Sequence, residues 1–466
     1  MTRTTNRIGE HAIVLGAGMG GLLAARVLAD AYHRVTVIER DQLSESADNR
    51  RGVPQGRHVH ALLPRGAEIM DELFPGILDE LVAAGAPVIA DFTKLRFLPD
   101  GLHRLSTRMK APPVYQPSRP LLEASIRQRV RALPNVRVLD GHDVIGLTTD
   151  DARGRITSVQ FQRRDDGDGA HAFSADLVVD AMGRGARASA WLTELGYDAP
   201  AEDEVVVNIR YVSRLLRLRP GAVPETLIVH GPEADSPYGY GLFAYENDTW
   251  LLTVQQFDGD RGVPDYEWML DRVADKAPGH VVAALADAEP LADVVMHRFP
   301  ANRRRRYDRL TRFPEGLLVF GDALCSFNPI YGQGMSVAAM EALALRKVLR
   351  RGSNRLAWRF FAKAAEVIDV AWQLAVGADL ALPFIKGPRP LPVRLVNAYV
   401  AKVLTAAEHD PVVATQFLRV SAFLDKPPAL MRPSIVARVI TATQRARRVP
   451  APVTPVAAPG RSAKLG

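Results

Sequence analysis

Gly16, Gly18 and Gly21 form a G-x-G-x-x-G run, written out as G-A-G-M-G-G with Gly20, between an apolar strand pattern and an apolar-periodic helix. In that setting the first glycine permits a tight turn, the second lets backbone approach a pyrophosphate, and the third allows close helix–strand packing. A phosphate then sits on the helix N-terminus. Glu39, with Arg40 beside it, lies 21 residues past Gly18 at the end of a second strand, where a carboxylate can hydrogen-bond a ribose 2′-hydroxyl. The same carboxylate would repel a 2′-phosphate, so the pattern suits FAD or NAD and not NADP.

A second cluster, Gly183 and Gly185 after Asp180, reads by spacing alone as a plain turn. The third changes that reading. In G-D-A-L-C-S-F-N-P-I-Y-G-Q-G-M-S, Gly321-Asp322 falls at a strand end, and Gly332, Gly334 and Met335 fall at a helix start. Asp322 can accept hydrogen bonds from a sugar-like chain while backbone amides face a polar ring oxygen, an element that a simple NAD enzyme does not need. Cys325, inside this motif, reads as packing rather than redox chemistry. His58 and His60 stand at i, i+2 with no further ligand type nearby, so no metal site is expected.

The elements that must position these groups follow from periodicity. His11 to Glu39 reads as a βαβ unit. Arg51 to Pro64 is too rich in Gly, Pro and polar residues for a regular element and reads as a long functional loop, followed by a helical pattern from Arg65 to Leu81 and another from Pro120 to Leu133. Val136–Leu139 and Ile156–Arg163 read as strands beside the acidic turn Asp165 to Gly169, and the segment from Asp176 reads as a buried strand ending in glycines. From Ala201 to Arg298 the pattern alternates as antiparallel strands, with Tyr238, Tyr240, Phe243, Tyr245 and Trp250 divided between core and pocket. A strand from Leu317 leads to a long helix near Met335, and Ala357 to Thr443 is helical with breaks at Pro383, Gly387-Pro388 and Pro427-Pro428.

Composition narrows the function classes. Hydrophobic residues make up 47% and charged residues 24%, which excludes disordered and collagen-like chains, and the one cysteine excludes a disulfide scaffold and fits a reducing cytoplasm. The net charge of +7 is carried by Arg, with only nine Lys, and is too dispersed for a nucleic-acid footprint; the densest run, Arg303 to Arg306, reads as a solvated or cofactor-facing loop. Met1 to Glu10 lacks the apolar segment of a signal peptide, and no uncharged apolar stretch is long enough to span a bilayer.

Taken together, G-A-G-M-G-G with Glu39, D-A-M-G-R-G-A-R from Asp180, and G-D-A-x-x-x-x-x-P-x-x-G-Q-G-M from Gly321 resemble the three motifs of the class A flavoprotein monooxygenases, which have the para-hydroxybenzoate hydroxylase fold. G-V-P-Q-G-R-H-V-H from Gly52, S-R-P-L-L-E from Ser118 and N-P-I-Y-G-Q-G-M-S are most similar to the squalene-epoxidase-like epoxidases and hydroxylases of bacterial natural-product biosynthesis. The resemblance implies an α/β fold: a Rossmann-like FAD-binding domain over residues 1–200, with a flavin loop at 51–64, and over 299–355. It further implies an inserted antiparallel β-sheet substrate domain at 201–298, a helical C-terminal region at 356–449 and a disordered tail at 450–466. It also implies that Glu39 binds the adenosine ribose and that Arg119 lies near the pyrophosphate or ribityl chain. Asp322 would bind the ribityl or pyrophosphate, Pro329 and Gly332 to Met335 would approach the pyrimidine edge, and Arg57 would lie beside the isoalloxazine.

The resemblance implies that NAD(P)H reduces the flavin, O₂ adds to form a C4a-hydroperoxide, and an oxygen atom passes to an electron-rich alkene or aromatic ring of a lipophilic substrate. One departure bears on the donor: Ala181-Met182-Gly183 replaces the Asp-Gly of many family members. No second G-x-G-x-x-G and no Trp-x-Trp-x-Ile-Pro segment is present, which disfavours disulfide-reductase-like flavoproteins and flavin halogenases. Two other readings stay open. One is an FAD-dependent reductase that saturates a prenyl or polyene double bond. The other is a flavin-binding or membrane-surface protein, motivated by the basic helix Arg432 to Arg448. No obligate protein partner is expected.

Overall fold

The computed structural model describes residues 7–164, 169–257, 262 and 264–446. Its organising element is a five-stranded parallel sheet in the order Leu317–Val319, Leu177–Asp180, Gly9–Leu15, Tyr32–Ile38, Val136–Leu139. The carboxyl-terminal halves of the central strands, residues 12–15, 35–38 and 177–179, are buried and almost wholly apolar, as a parallel sheet covered on both faces requires. Helices Met19–Ala29 and Gly334–Leu349 belong to the same apolar core, which continues through Phe360 and Phe361 of helix Leu356–Asp379. Phe320 and Phe360 stack within it, their ring centroids 5.8 Å apart.

The carboxyl ends of four of these strands deliver Gly16, Glu39, Ala181 and Gly321 to one edge of the sheet. Ligands of open α/β sheets bind at that edge.

A second, larger sheet runs in the order Cys325–Ser326, Val295–Arg305, Glu202–Arg217, Thr249–Phe257, Tyr238–Tyr245, Leu227–His230, Leu95–Leu98; only its last pair is parallel. The sheet therefore reaches beyond residues 201–298 on both edges. The 245–249 turn carries Asn247 and Asp248 at positive φ, the backbone that a tight hairpin demands. Side-chain alternation sorts the aromatic residues: Tyr240 packs with Leu242, Leu252 and Val254 on helices Tyr266–Ala274 and Gly279–Ala286. Phe243, Tyr245 and Leu251 face the opposite way, onto Val403, Leu404, Ala407, Val413 and Leu418 of the C-terminal helices Leu391–His409 and Pro411–Ser421.

Three expectations change. Residues 65–81 form two helices, Pro64–Leu73 and Ile77–Ala83, because Pro75-Gly76 separates them and Gly76 is left-handed. Arg303 to Arg306 is not a free loop: Arg303, Arg304 and Arg305 end a strand, Arg303 and Arg305 pair with Glu202 and Glu204 of the neighbouring strand, and Arg304 and Arg306 pair with Asp369 and Asp203. The basic C-terminal segment forms helix Pro433–Ala446, with Ile435 and Val439 buried, so one face of it belongs to the core. The tail at 450–466 and most of the Asp165–Gly169 turn lie outside the described residues. No helix among the described residues is long and apolar enough to cross a membrane.

Gly21 is the tightest point of the fold, since a Cβ there would stand 1.9 Å from the Gly16 carbonyl oxygen. Gly21→Ala is expected to lower stability by about 1–3 kcal/mol through overpacking, measured as a reduced urea midpoint with an unchanged m-value.

Candidate cofactor site

Between the strand ends and the larger sheet lies a cavity of about 580 Å³. Gly16 turns the chain at φ +96°, and a Cβ on it would meet the Ala181 carbonyl oxygen at 2.9 Å. Gly18 caps helix Met19–Ala29 with no side-chain acceptor, and the first turn holds no acidic residue, so the helix's free amides keep their capacity for an anion. A Cβ on Gly18 would find only the Arg50 guanidinium, 3.9 Å away. Gly18 and Gly20 line the cavity; Gly21 packs the helix onto the strand.

Glu39 is buried at the next strand end, where its oxygens accept from the Ala17 amide (2.7 Å) and the Asp41 amide (2.9 Å). Arg50 is the counter-charge: it lies 3.3 Å from Glu39, 3.1 Å from Asp41 and 2.7 Å from Glu123, and donates to the Ala17 carbonyl at 3.0 Å. Glu123 in turn binds Arg119 at 2.7 Å. Burial alone would raise the Glu123 carboxyl, but Arg119 and Arg50 overcome it and hold it below the usual range. Glu39, Arg40, Arg50 and Arg119 all line the cavity.

At the far end, Gly321 (φ +69°) and Gly332 (φ +63°) are left-handed, and helix Gly334–Leu349 starts with no acidic residue in its first turn. Asp322 stands in the cavity with its side chain open to the cavity space, close enough to Gly334 that a Cβ there would lie 3.8 Å from its Oδ1. Desolvation by the surrounding walls pushes the Asp322 carboxyl upward, against the pull of Arg119 and Arg184. Behind it, the Gly321 amide donates to buried Glu341 at 2.8 Å, and burial pushes Glu341 up to about 8. Pro329, Gly332, Gly334 and Met335 complete this wall.

The Val53–His60 loop is stapled to the larger sheet. His58 Nδ1 lies 2.7 Å from Ser213 Oγ, the Val59 amide donates to Thr253 Oγ1 at 3.1 Å, and Tyr245 bonds both the His60 amide (2.7 Å) and its carbonyl (2.8 Å). His60 lines the cavity, whereas Arg57, set in the turn Pro54–Arg57, is exposed and is not among the lining residues. Arg57, expected beside the ring, does not reach this cavity, while the staples hold His58 on Ser213 of the larger sheet and leave His60 at the cavity. Burial drives the imidazole of His58 down to about 3 and that of His60 to about 4.

Gly183 and Gly185 line the cavity, so the second cluster is more than a plain turn. Asp180 does not reach a ligand: its oxygens accept from the amides of Met182, Arg187 and Ala188, which caps helix Ala188–Glu194.

Two helix N-termini without acidic residues, glycines with open space where a side chain would stand, the Glu39 carboxylate at one end and the Asp322 carboxylate by the other helix suit a long dinucleotide with a pyrophosphate at its middle. FAD fits these residues. The residues that sequence reasoning missed are Arg50, Asp41, Glu123, Gln55, His60, Asn328 and the 142–145 segment, the last carried by strand His142–Thr149. Only Glu123 had a local signal, the i, i+4 spacing to Arg119.

Two outcomes are expected. Arg50→Ala leaves buried Glu39 and Asp41 without their cation, and Glu123 with Arg119 alone, and should cost about 3–5 kcal/mol, read from denaturant unfolding. His58 is neutral in the fold and titrates at 6.5 when unfolded, so its contribution to stability is complete above that value and is lost as pH falls from 6.5 toward 3. His58→Gln should flatten the decline of stability between pH 7 and pH 4.

Comparison with known proteins places the chain. The FAD binding domain family matches residues 10–357. Protein Rv3254 of Mycobacterium tuberculosis is 38% identical over 480 residues, covering 96% of this chain and 98% of that one. A kynurenine 3-monooxygenase of Salinispora arenicola is 25% identical over 385 residues, covering 76% and 75%. The crystal structure of p-nitrophenol 4-monooxygenase PnpA from Pseudomonas putida superposes with a TM-score of 0.63 at 18% identity, over 90% of this chain and 99% of that one. The chain belongs to the FAD binding domain family and has the fold of the class A flavoprotein monooxygenases.

Proposed function

We propose that this protein binds FAD in the cavity and uses NAD(P)H and O₂ to hydroxylate or epoxidise a lipophilic polyketide, terpenoid or aromatic intermediate. The observation that carries the reading is the convergence of both acid-free helix N-termini, Glu39 and Asp322 on one cavity. When bound, FAD supplies electron transfer and oxygen activation.

The chain's own part is binding, charge placement and exclusion of water. The Gly18 helix turn takes a pyrophosphate, and Glu39 takes a ribose hydroxyl while Arg50 keeps its charge balanced. Asp322 accepts from sugar-like hydroxyls, and the Gly334 helix start offers positive potential to a developing negative charge on the ring. Neutral His60, held by the Tyr245 hydroxyl, adds no cationic imidazole to the cavity lining.

Asp322→Ala removes a charged acceptor and should weaken FAD retention by about tenfold to a hundredfold, measured by flavin fluorescence titration. NAD(P)H oxidation by the FAD-loaded protein, with polyene, terpenoid and aromatic substrates under air and under nitrogen, should give oxygen-dependent products heavier by one oxygen atom. Products heavier by two hydrogens without oxygen would make the enzyme a reductase of prenyl or polyene double bonds and overturn the proposal.

A further inference from the structure

The segment Asn328 to Gly334 forms one wall of the cavity through Asn328, Pro329, Gly332, Gln333 and Gly334. What holds it lies on its far side. Asp379, the last residue of helix Leu356–Asp379, is fully buried and does not line the cavity. One of its oxygens accepts from Asn302 Nδ2 at 2.6 Å, and the other accepts from Asn328 Nδ2 at 2.9 Å and from the Tyr331 hydroxyl at 2.7 Å. The same knot is closed by Asn302 Oδ1, which accepts from the Asn328 amide at 2.6 Å, and by the Tyr211 hydroxyl, which donates to Asn328 Oδ1 at 2.5 Å and accepts from the Ile330 amide at 3.0 Å.

Three separate parts of the chain thus meet at one carboxylate: the larger sheet through Tyr211 and Asn302, the cavity wall through Asn328, Ile330 and Tyr331, and the C-terminal helical region through Asp379 itself. That region lies outside residues 10–357, the part matched by the family. Only a carboxylate satisfies the geometry. Three donors converge on two oxygens, whereas an asparagine would present an NH₂ group to at least one of them. No cation forms an ion pair with Asp379 among the described residues, so neutral donors alone stabilise its charge. An arrangement of that kind is tolerable only while every partner stays in place.

We infer that Asp379 is a positioning residue of the cofactor site, which fixes the Asn328–Gly334 wall so that the glycine backbone and the helix start behind it meet the ring of FAD. The inference rests on the FAD reading above. The test titrates FAD into the full-length protein and into Asp379→Asn, Tyr331→Phe and the double variant, recording affinity, the visible absorption spectrum of bound flavin and the thermal midpoint of the FAD-free protein.

Asp379→Asn should weaken FAD binding by about tenfold to a hundredfold and shift the bound-flavin spectrum. Tyr331→Phe should act in the same direction but less, and the double variant should be no worse than Asp379→Asn, because both changes act through one wall. A spectral shift that persists at saturating FAD separates misplacement of the ring from simple loss of fold. If Asp379→Asn does not fold, Tyr331→Phe alone decides the matter. Wild-type affinity and spectrum in the folded variants would overturn the inference while leaving the FAD reading intact. Failure of the unaltered protein to bind FAD would overturn both.

Discussion

The site depends first on how closely helix Met19–Ala29 can lie against the strand that precedes it. With no side chain at Gly21, the helix backbone reaches the Gly16 carbonyl, and that approach aims the helix's first amides into the crevice at the strand ends. Glu39, Ala181 and Gly321 reach the same crevice because their strands are in parallel register with the first, so the position of one helix fixes the reference frame for the other groups. Helix Gly334–Leu349 repeats the device at the other end with its own glycine start.

Charge is managed in two different ways at the two ends. Around Glu39, Asp41 and Glu123 the answer is a cation, Arg50, seconded by Arg119, and ionisation of Glu123 is favoured despite burial. Around Glu341 and Asp379 no cation forms an ion pair among the described residues: burial pushes Glu341 up to about 8 and Asp379 up to about 6, and amide and hydroxyl donors limit the rise.

How much of this could be read in advance follows from the range over which each feature is determined. The glycine turns are local backbone requirements, so Gly16, Gly18, Gly20, Gly332 and Gly334 were legible, as were the strand ends that carry Glu39 and Asp322. The Arg303–Arg306 strand was not, because its identity rests on partners a hundred residues earlier; the acidic run Glu202-Asp203-Glu204 is its complement, but neither segment announces the other. Arg57 and His60 were not distinguishable for a related reason: which residue of this loop reaches the cavity is set by Ser213, Thr253 and Tyr245 on distant strands. Asp379 carried no signal at all, since a single aspartate near the end of an amphipathic helix looks like any other. The break at Pro75-Gly76, by contrast, was written in the residues and overlooked.

The order in which the chain supplies its strands has a consequence for synthesis. The parallel sheet begins with Gly9–Leu15 but takes its edge strand from Leu317–Val319, and the cavity wall behind it is tied to Tyr211 and Asn302 of the larger sheet and to Asp379 of a helix that comes later still. A nascent chain must therefore hold its first βαβ unit, with the amides of Met19–Ala29 exposed, through the production of an entire second sheet. Pairings this distant form late and slowly. A chain ended near residue 357 would have every glycine motif and still lack the helix end that meets Asn328 and Tyr331, so the last contact on this wall is made only after all the motifs are in place.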